Sequence, residues 1–151
     1  MLGDGNGWVH APDGSKRWGL HGAAGLFLVA GGRVLMQHRA AWTAQGGTWG
    51  IPGGARDSHE TAAEAALRET VEECAIDTSL VTVRDSLVTT DVPGWTYTTV
   101  LAAAQEPLAV AANDESEELR WVPLDQRREL ELHPGFAASL PLVLEALGAD
   151  A

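Results

Sequence analysis

Apolar and polar positions change period several times along the chain, and each change marks an element. AAGLFLVA (23–30) is a short apolar run of strand character. Gly31-Gly32 marks a turn. RVLMQHRA (33–40) then alternates with period two: Val34, Met36 and His38 face one way, and Leu35, Gln37 and Arg39 the other. The two runs predict a hairpin. AWTAQGGTWGIPGG (41–54) predicts a loop with a strand fragment around Trp49 and Ile51, closed by a tight turn at Pro52-Gly53-Gly54.

The period then lengthens. Ala63, Ala66, Leu67, Thr70 and Cys74 recur at helical spacing, alanine-rich sequence surrounds them, and Asp57 or Ser58 is a suitable N-cap, so a helix is predicted over 58–74. Strand-like runs follow at 80–90, 95–104 and 117–124, the first two separated by a turn at Pro93-Gly94. A last helix is predicted over 134–148, with Pro141 kinking or dividing it. Strands, one helix, more strands and a final helix predict an α+β fold, an α/β/α sandwich around a mixed sheet. Residues 1–19 carry a turn signal at Pro12-Asp13-Gly14. They read as a loop or short hairpin, GWVH and SKRWG, extending from a single domain at 20–151.

Composition narrows the function. The length suits one domain with a real core, and 45% hydrophobic residues fit a globular chain. No apolar run reaches the roughly 18 residues of a membrane span, and the first residues lack the charged-then-apolar pattern of a secretory signal. The single cysteine, Cys74, fits a reducing compartment, so a cytoplasmic location is expected. A net charge of −11 argues against a nucleic acid polymer as partner. A small phosphorylated ligand remains compatible if a cation neutralises the local carboxylates. His38, His59 and His133 show no zinc spacing with cysteine, so no structural zinc is expected.

The candidate chemistry lies in GARDSHETAAEAALRETVEECAI (54–76). Glu69 is three residues from Glu72 and four from Glu73, so on a helix all three project toward one edge, where like charges repel. Arg68 pairs at helical spacing with Glu64 and Glu72. Clustered carboxylates are hard ligands suited to Mg²⁺ or Mn²⁺, and a bound cation would offset the repulsion. Glycine in the preceding turn would let a backbone carbonyl approach that cation. A solvated helix face with i, i+4 ion pairs is the alternative reading of the same charges.

The spacing of these residues resembles the Nudix box, G-x5-E-x7-R-E-U-x-E-E-x-G-U with U aliphatic. Gly54, Glu60, Arg68, Glu69, Glu72, Glu73 and Ile76 fall on it in register. Thr70 stands at an aliphatic position, where its methyl is expected on the core and its hydroxyl on the preceding turn. Ala75 stands where glycine is usual; keeping a left-handed cap there costs roughly 1 kcal/mol, and a shifted helix end is the other option.

The resemblance implies a Nudix-type sandwich with a box helix and a pyrophosphohydrolase using water and Mg²⁺ or Mn²⁺. It implies Glu69, Glu72 and Glu73 as catalytic metal ligands, with Glu69 or Glu72 helping to deprotonate the water. The Gly53 carbonyl is implied as a further ligand, and Glu60 and Arg68 as structural support. Glu115 and Glu118 are candidates for an additional acid beyond the box. Arg39, and less directly Arg56, are candidates for phosphate contact. For the base, Trp95 and Tyr97 share a strand face and can stack, with Trp18, Trp42 and Trp49 also available; Trp95 beside Pro93-Gly94 can equally pack against the loop, and Trp49 and Trp121 are expected in the core. The implied substrate is a small nucleotide, with an oxidised triphosphate such as 8-oxo-dGTP first and ADP-ribose or another dinucleotide-type diphosphate second. A non-catalytic nucleotide-binding module is the rival from another class, and a homodimer is compatible with the family.

Overall fold

The computed structural model describes residues 4–10, 12, 14–42, 46–114, 116–125 and 130–147. Two short strands, β1 (Trp8–His10) and β2 (Lys16–Trp18), pair antiparallel as a separate hairpin, with Trp8 opposite Trp18. A mixed sheet follows, built from β3 (Ala23–Ala30), β4 (Arg33–Arg39), β5 (Trp49–Gly50), β6 (Gly53–Ala55), β7 (Thr82–Val92), β8 (Trp95–Ala103) and β9 (Ser116–Pro123). Its main path runs β5-β4-β3-β8-β7; β6 pairs with β3 and β9 with β4. The helices are α1 (Ala62–Cys74) and α2 (Pro134–Ala146).

The β3–β4 hairpin forms as expected, turning on Gly31 and Gly32, whose positive φ values of 57° and 73° suit glycine. It is short, because the strands diverge after two paired positions. β3 then runs parallel to β8 over seven positions, and β4 runs antiparallel to β9. This division gives β3 and β4 a helix on each face. Phe27, Val34, Met36, Trp49 and Leu101 join Phe136, Leu140 and Val143 of α2 in one core. Leu26, Leu28, Leu35 and Val100 join Ala65, Ala66 and Cys74 of α1 in the other. The result is an α/β/α sandwich. Trp49 lies in the first core, and Trp121 packs against the second with its Nε1 donating to the Leu108 carbonyl at 3.0 Å.

Several expectations change. The box helix starts at Ala62, not at 58, and its N-cap is Thr61, not Asp57 or Ser58. Thr61 accepts from the Glu64 amide at 3.1 Å, and the Glu64 side chain accepts from the Thr61 amide at 2.9 Å. Glu64 is therefore committed to the cap. Asp57 and Ser58 are held instead by Gly5 and Asp4, contacts made across more than fifty residues. Within the helix, Ala65 is buried where Ala63 was expected, and Ala63 and Leu67 are only partly covered. Residues 52–54 form no tight turn: Gly53 and Gly54 lie in β6, opposite Gly25 and Ala24. Helix α2 continues through Pro141 without division.

Thr70 is fully buried and donates to the Ala66 carbonyl at 2.7 Å, as its place in the box predicts. Ala75 keeps the left-handed cap, with φ 57° and ψ 36°, and donates to the Val71 carbonyl at 2.9 Å. It is the one non-glycine residue with positive φ among the described residues. Ala75→Gly is therefore expected to stabilise the protein by about 1 kcal/mol, raising Tm by about 2–4 °C. Thermal unfolding checks this, and a lowered Tm would contradict it.

Candidate active site

Arg68 organises the box. Its Nε donates to Glu60 Oε2 at 2.7 Å and one terminal nitrogen to Glu60 Oε1 at 2.8 Å, a two-pronged pair. That same nitrogen donates to the Ala55 carbonyl at 3.0 Å and lies 3.7 Å from Asp57 Oδ2. The other terminal nitrogen donates to Glu69 Oε1 at 2.9 Å and lies 3.5 Å from Glu72 Oε1. Four carboxylates thus surround one guanidinium. The guanidinium holds the Glu60 carboxyl below the usual range, and hydrogen bonding to Glu60 holds Arg68 protonated well beyond its ordinary value.

The three glutamates on α1 occupy different environments. Glu72 is half exposed. Glu69 is mostly buried and abuts β6: a Cβ at Gly54 would stand 2.6 Å from the Glu69 carboxyl carbon. A side chain at 54 would therefore displace the Glu69 carboxylate, whereas the Gly54 φ is not positive. Glu73 is 3% exposed, within hydrogen-bonding reach of Glu69, and accepts from Gln37 Nε2 at 3.0 Å. Gln37 Nε2 also donates to Ser116 Oγ at 2.7 Å. The alternation of β4 placed Gln37 on the same face as Leu35, so a polar residue on a buried strand face was the available signal. Its partnership with Glu73 was not foreseen.

Burial pushes the Glu69 carboxyl above the usual carboxylate range, and the charge on Glu72 adds to the effect, while Arg68 opposes it. A raised folded-state value favours folding below the unfolded-state pKa, and that contribution is lost as pH rises through the raised value. Ionised Glu69 therefore destabilises the cation-free protein at neutral pH. Glu69→Gln is expected to raise Tm in chelator at pH 7.5, with the difference closing toward pH 4. Parallel melting curves check this; a variant less stable than the parent at pH 7.5 would contradict it.

Two acidic groups compete as cation sites. Among the described residues, one trio of His, Cys, Asp and Glu ligand atoms closes within 4.8 Å: Asp57, His59 and Glu60. Its oxygens are already engaged. Asp57 Oδ1 accepts from the Gly5 amide, and both Glu60 oxygens accept from Arg68. The glutamates of α1 do not close that tightly here, Glu72 being drawn toward Arg68. Their carboxylates fit a hard divalent ion better, since Glu72 is half exposed and held only by a surface ion pair that a cation can replace. Gly53 stands beside them in β6, where a Cβ would collide with the Ala24 carbonyl oxygen.

The remaining candidates are dispersed. Glu115 lies outside the described residues. Glu118 pairs in register with His38 and its carboxylate lies 3.1 Å from Arg120, whose guanidinium covers the Trp49 ring at 4.7 Å. That places Glu118 on the α2 side of the sheet, across from the α1 carboxylates. Arg39 ends β4 next to a register shift, and its charge acts on Tyr97 and His133. Arg56 is spent on the carbonyls of His21, at 3.1 Å, and Glu60, at 2.6 Å. Trp95 and Tyr97 do share a face, with centroids 6.3 Å apart. Trp95 is buried under the hairpin: its Nε1 donates to the Trp18 carbonyl at 3.1 Å, and the Arg17 guanidinium lies 5.4 Å from its ring centre. The Tyr97 hydroxyl occupies the space a Cβ on Gly25 would need, and burial raises its pKa. Trp18 and Trp42 are exposed, at 44% and 70%.

Comparison with known proteins adds to this geometry. The family model described as "NUDIX domain" matches residues 19–143. A Mycobacterium tuberculosis protein named "Putative 8-oxo-dGTP diphosphatase 3" is 52% identical over 149 residues, covering 92% of this chain and 69% of that relative. A Bifidobacterium longum protein named "Nucleoside triphosphate pyrophosphatase/Nudix hydrolase fusion protein" is 47% identical over 90% of this chain and 32% of its own length. The crystal structure of a Nudix hydrolase from M. smegmatis, RenU, superposes with a TM-score of 0.91 at 51% identity, covering 95% of this chain and 96% of that one.

Proposed function

Because this chain belongs to the Nudix family, a family of hydrolases acting on nucleotide phosphoanhydride bonds, we propose that it is a Mg²⁺- or Mn²⁺-dependent pyrophosphohydrolase of an oxidised nucleoside triphosphate such as 8-oxo-dGTP. The observation that carries the reading is the Arg68 cluster, which holds the box carboxylates at the Gly53-Gly54 strand. The named activity of the M. tuberculosis relative supports the substrate class. We place the protein in the cytoplasm, a reducing compartment that suits its single, buried cysteine.

Glu69, Glu72 and Glu73, with the Gly53 carbonyl, are the groups that would hold the cation. When bound, a divalent ion neutralises charge on the phosphoryl oxygens and lowers the pKa of the attacking water. Glu69 or Glu72 accepts the water proton as the new O–P bond forms, and the bridging P–O bond breaks with its electron pair leaving on the departing phosphate. Glu60, Asp57 and Arg68 orient the helix and loop without touching substrate. All the box carboxylates are present, which disfavours a binding module without catalysis.

A panel of canonical and oxidised triphosphates, ADP-ribose, diadenosine polyphosphates and NADH, read by product mass in ¹⁸O-labelled water, tests the substrate and the bond cut. Preferred turnover of the oxidised triphosphate is expected. Nucleotide binding without turnover of any of them would replace the enzyme with a sensor.

A further inference from the structure

We propose that residues Asp4 and Gly5, N-terminal to the matched domain, form a clasp on the box loop, and that Asp57 is the positioning residue through which the clasp acts on Glu69. The inference rests on the functional reading above. The stretch 4–7 is seated between two segments. On one side, the Leu20 amide donates to the Gly5 carbonyl at 2.8 Å and the Gly19 amide to the Gly7 carbonyl at 2.7 Å. On the other, the Gly5 amide donates to Asp57 Oδ1 at 2.9 Å, the Ser58 amide donates to Asp4 Oδ1 at 2.7 Å, and the Ser58 hydroxyl contacts Asp4 Oδ2. The Arg56 amide completes the attachment by donating to the Gly22 carbonyl at 3.0 Å.

The clasp reaches the chemistry in three steps. Gly5 fixes one oxygen of Asp57; the other lies 3.7 Å from Arg68; and Arg68 donates to Glu69 at 2.9 Å. Asp57 is 8% exposed and Gly5 is buried, so the contact is shielded from water. Gly5 is required by space: a Cβ there would collide with the Arg56 carbonyl oxygen. The segment thus contributes to the site although it carries no catalytic group.

Gly5→Ala forces the clasp open while leaving every box side chain in place. Asp57→Asn keeps an acceptor for the Gly5 amide but removes the charge facing Arg68. Trp8→Ala loosens the hairpin at its edge-on contact with Trp18 and leaves the clasp alone. The experiment measures Tm, kcat and KM for a nucleoside triphosphate, and Mn²⁺ affinity by electron paramagnetic resonance. For Gly5→Ala and Asp57→Asn, kcat is expected to fall about tenfold with KM little changed, and Mn²⁺ Kd to rise about tenfold, the usual scale for residues that orient metal ligands. Trp8→Ala is expected to lower Tm while kcat and Mn²⁺ affinity hold. If Gly5→Ala does not fold, Asp57→Asn decides. Folded variants with parental kcat and Mn²⁺ affinity overturn the clasp. A parent that neither turns over nucleotides nor binds Mn²⁺ overturns the functional reading itself.

Discussion

Glu72→Gln is expected to lower nucleotide hydrolysis by about 10²–10⁴-fold, the range associated with losing a positioned acid or base. It should do so with little change in Tm. The side chain is 56% exposed, and its ion pair with Arg68 at 3.5 Å is of the i, i+4 surface kind. Such pairs contribute about 0.3–0.5 kcal/mol. Glutamine keeps the shape and loses the charge that would hold a cation or receive a proton. Steady-state kinetics beside a melting curve separates the two effects. A variant within tenfold of the parent would remove Glu72 from the chemistry, and a large loss of Tm would make its role structural.

Arg68→Ala is expected to act on both stability and activity. It strips Glu60, whose side chain is 8% exposed, of its two-pronged partner, and leaves the Ala55 carbonyl and Asp57 without theirs. Removing one member of a buried pair strands the other charge, at a cost of several kcal/mol. Here about 3 kcal/mol is expected, the low end of that range, because a third of the Arg68 side chain meets solvent. That corresponds to a Tm lower by about 6–12 °C. Arg68→Lys should recover only part of it, because an ammonium cannot span both oxygens of Glu60 and also reach Glu69. Melting in chelator measures the stability term, and full recovery by lysine would contradict the fork geometry.

Features encoded by neighbouring residues were legible in the sequence. The box register, the Gly31-Gly32 turn and the Thr70 back-bond depend on residues close together in the chain, while the sequence leaves open whether Ala75 keeps a left-handed cap or the helix end shifts. What escaped depends on distant partners. Asp57 and Ser58 are good N-cap types, yet both are occupied by Asp4 and Gly5, which moves the cap to Thr61. Gly53-Gly54 signalled a turn because glycine marks positive φ and close approach alike; only the fold shows that these two lie in a strand, Gly54 making room for Glu69. At Trp95 the sequence suits stacking and packing alike, and the hairpin that covers it is set by strand pairing between Trp8 and Trp18. Gln37 was correctly placed on a face, while its partner Glu73 lies thirty-six residues away.

The most direct test is anomalous diffraction from crystals grown with Mn²⁺ and a slowly hydrolysed triphosphate analogue. The expected result is a manganese peak within coordination distance, about 2.0–2.3 Å, of carboxylate oxygens on Glu69, Glu72 and Glu73, with Glu72 drawn off Arg68. Manganese bound only by Asp57, His59 and Glu60, or none on the box helix with nucleotide present, would contradict it.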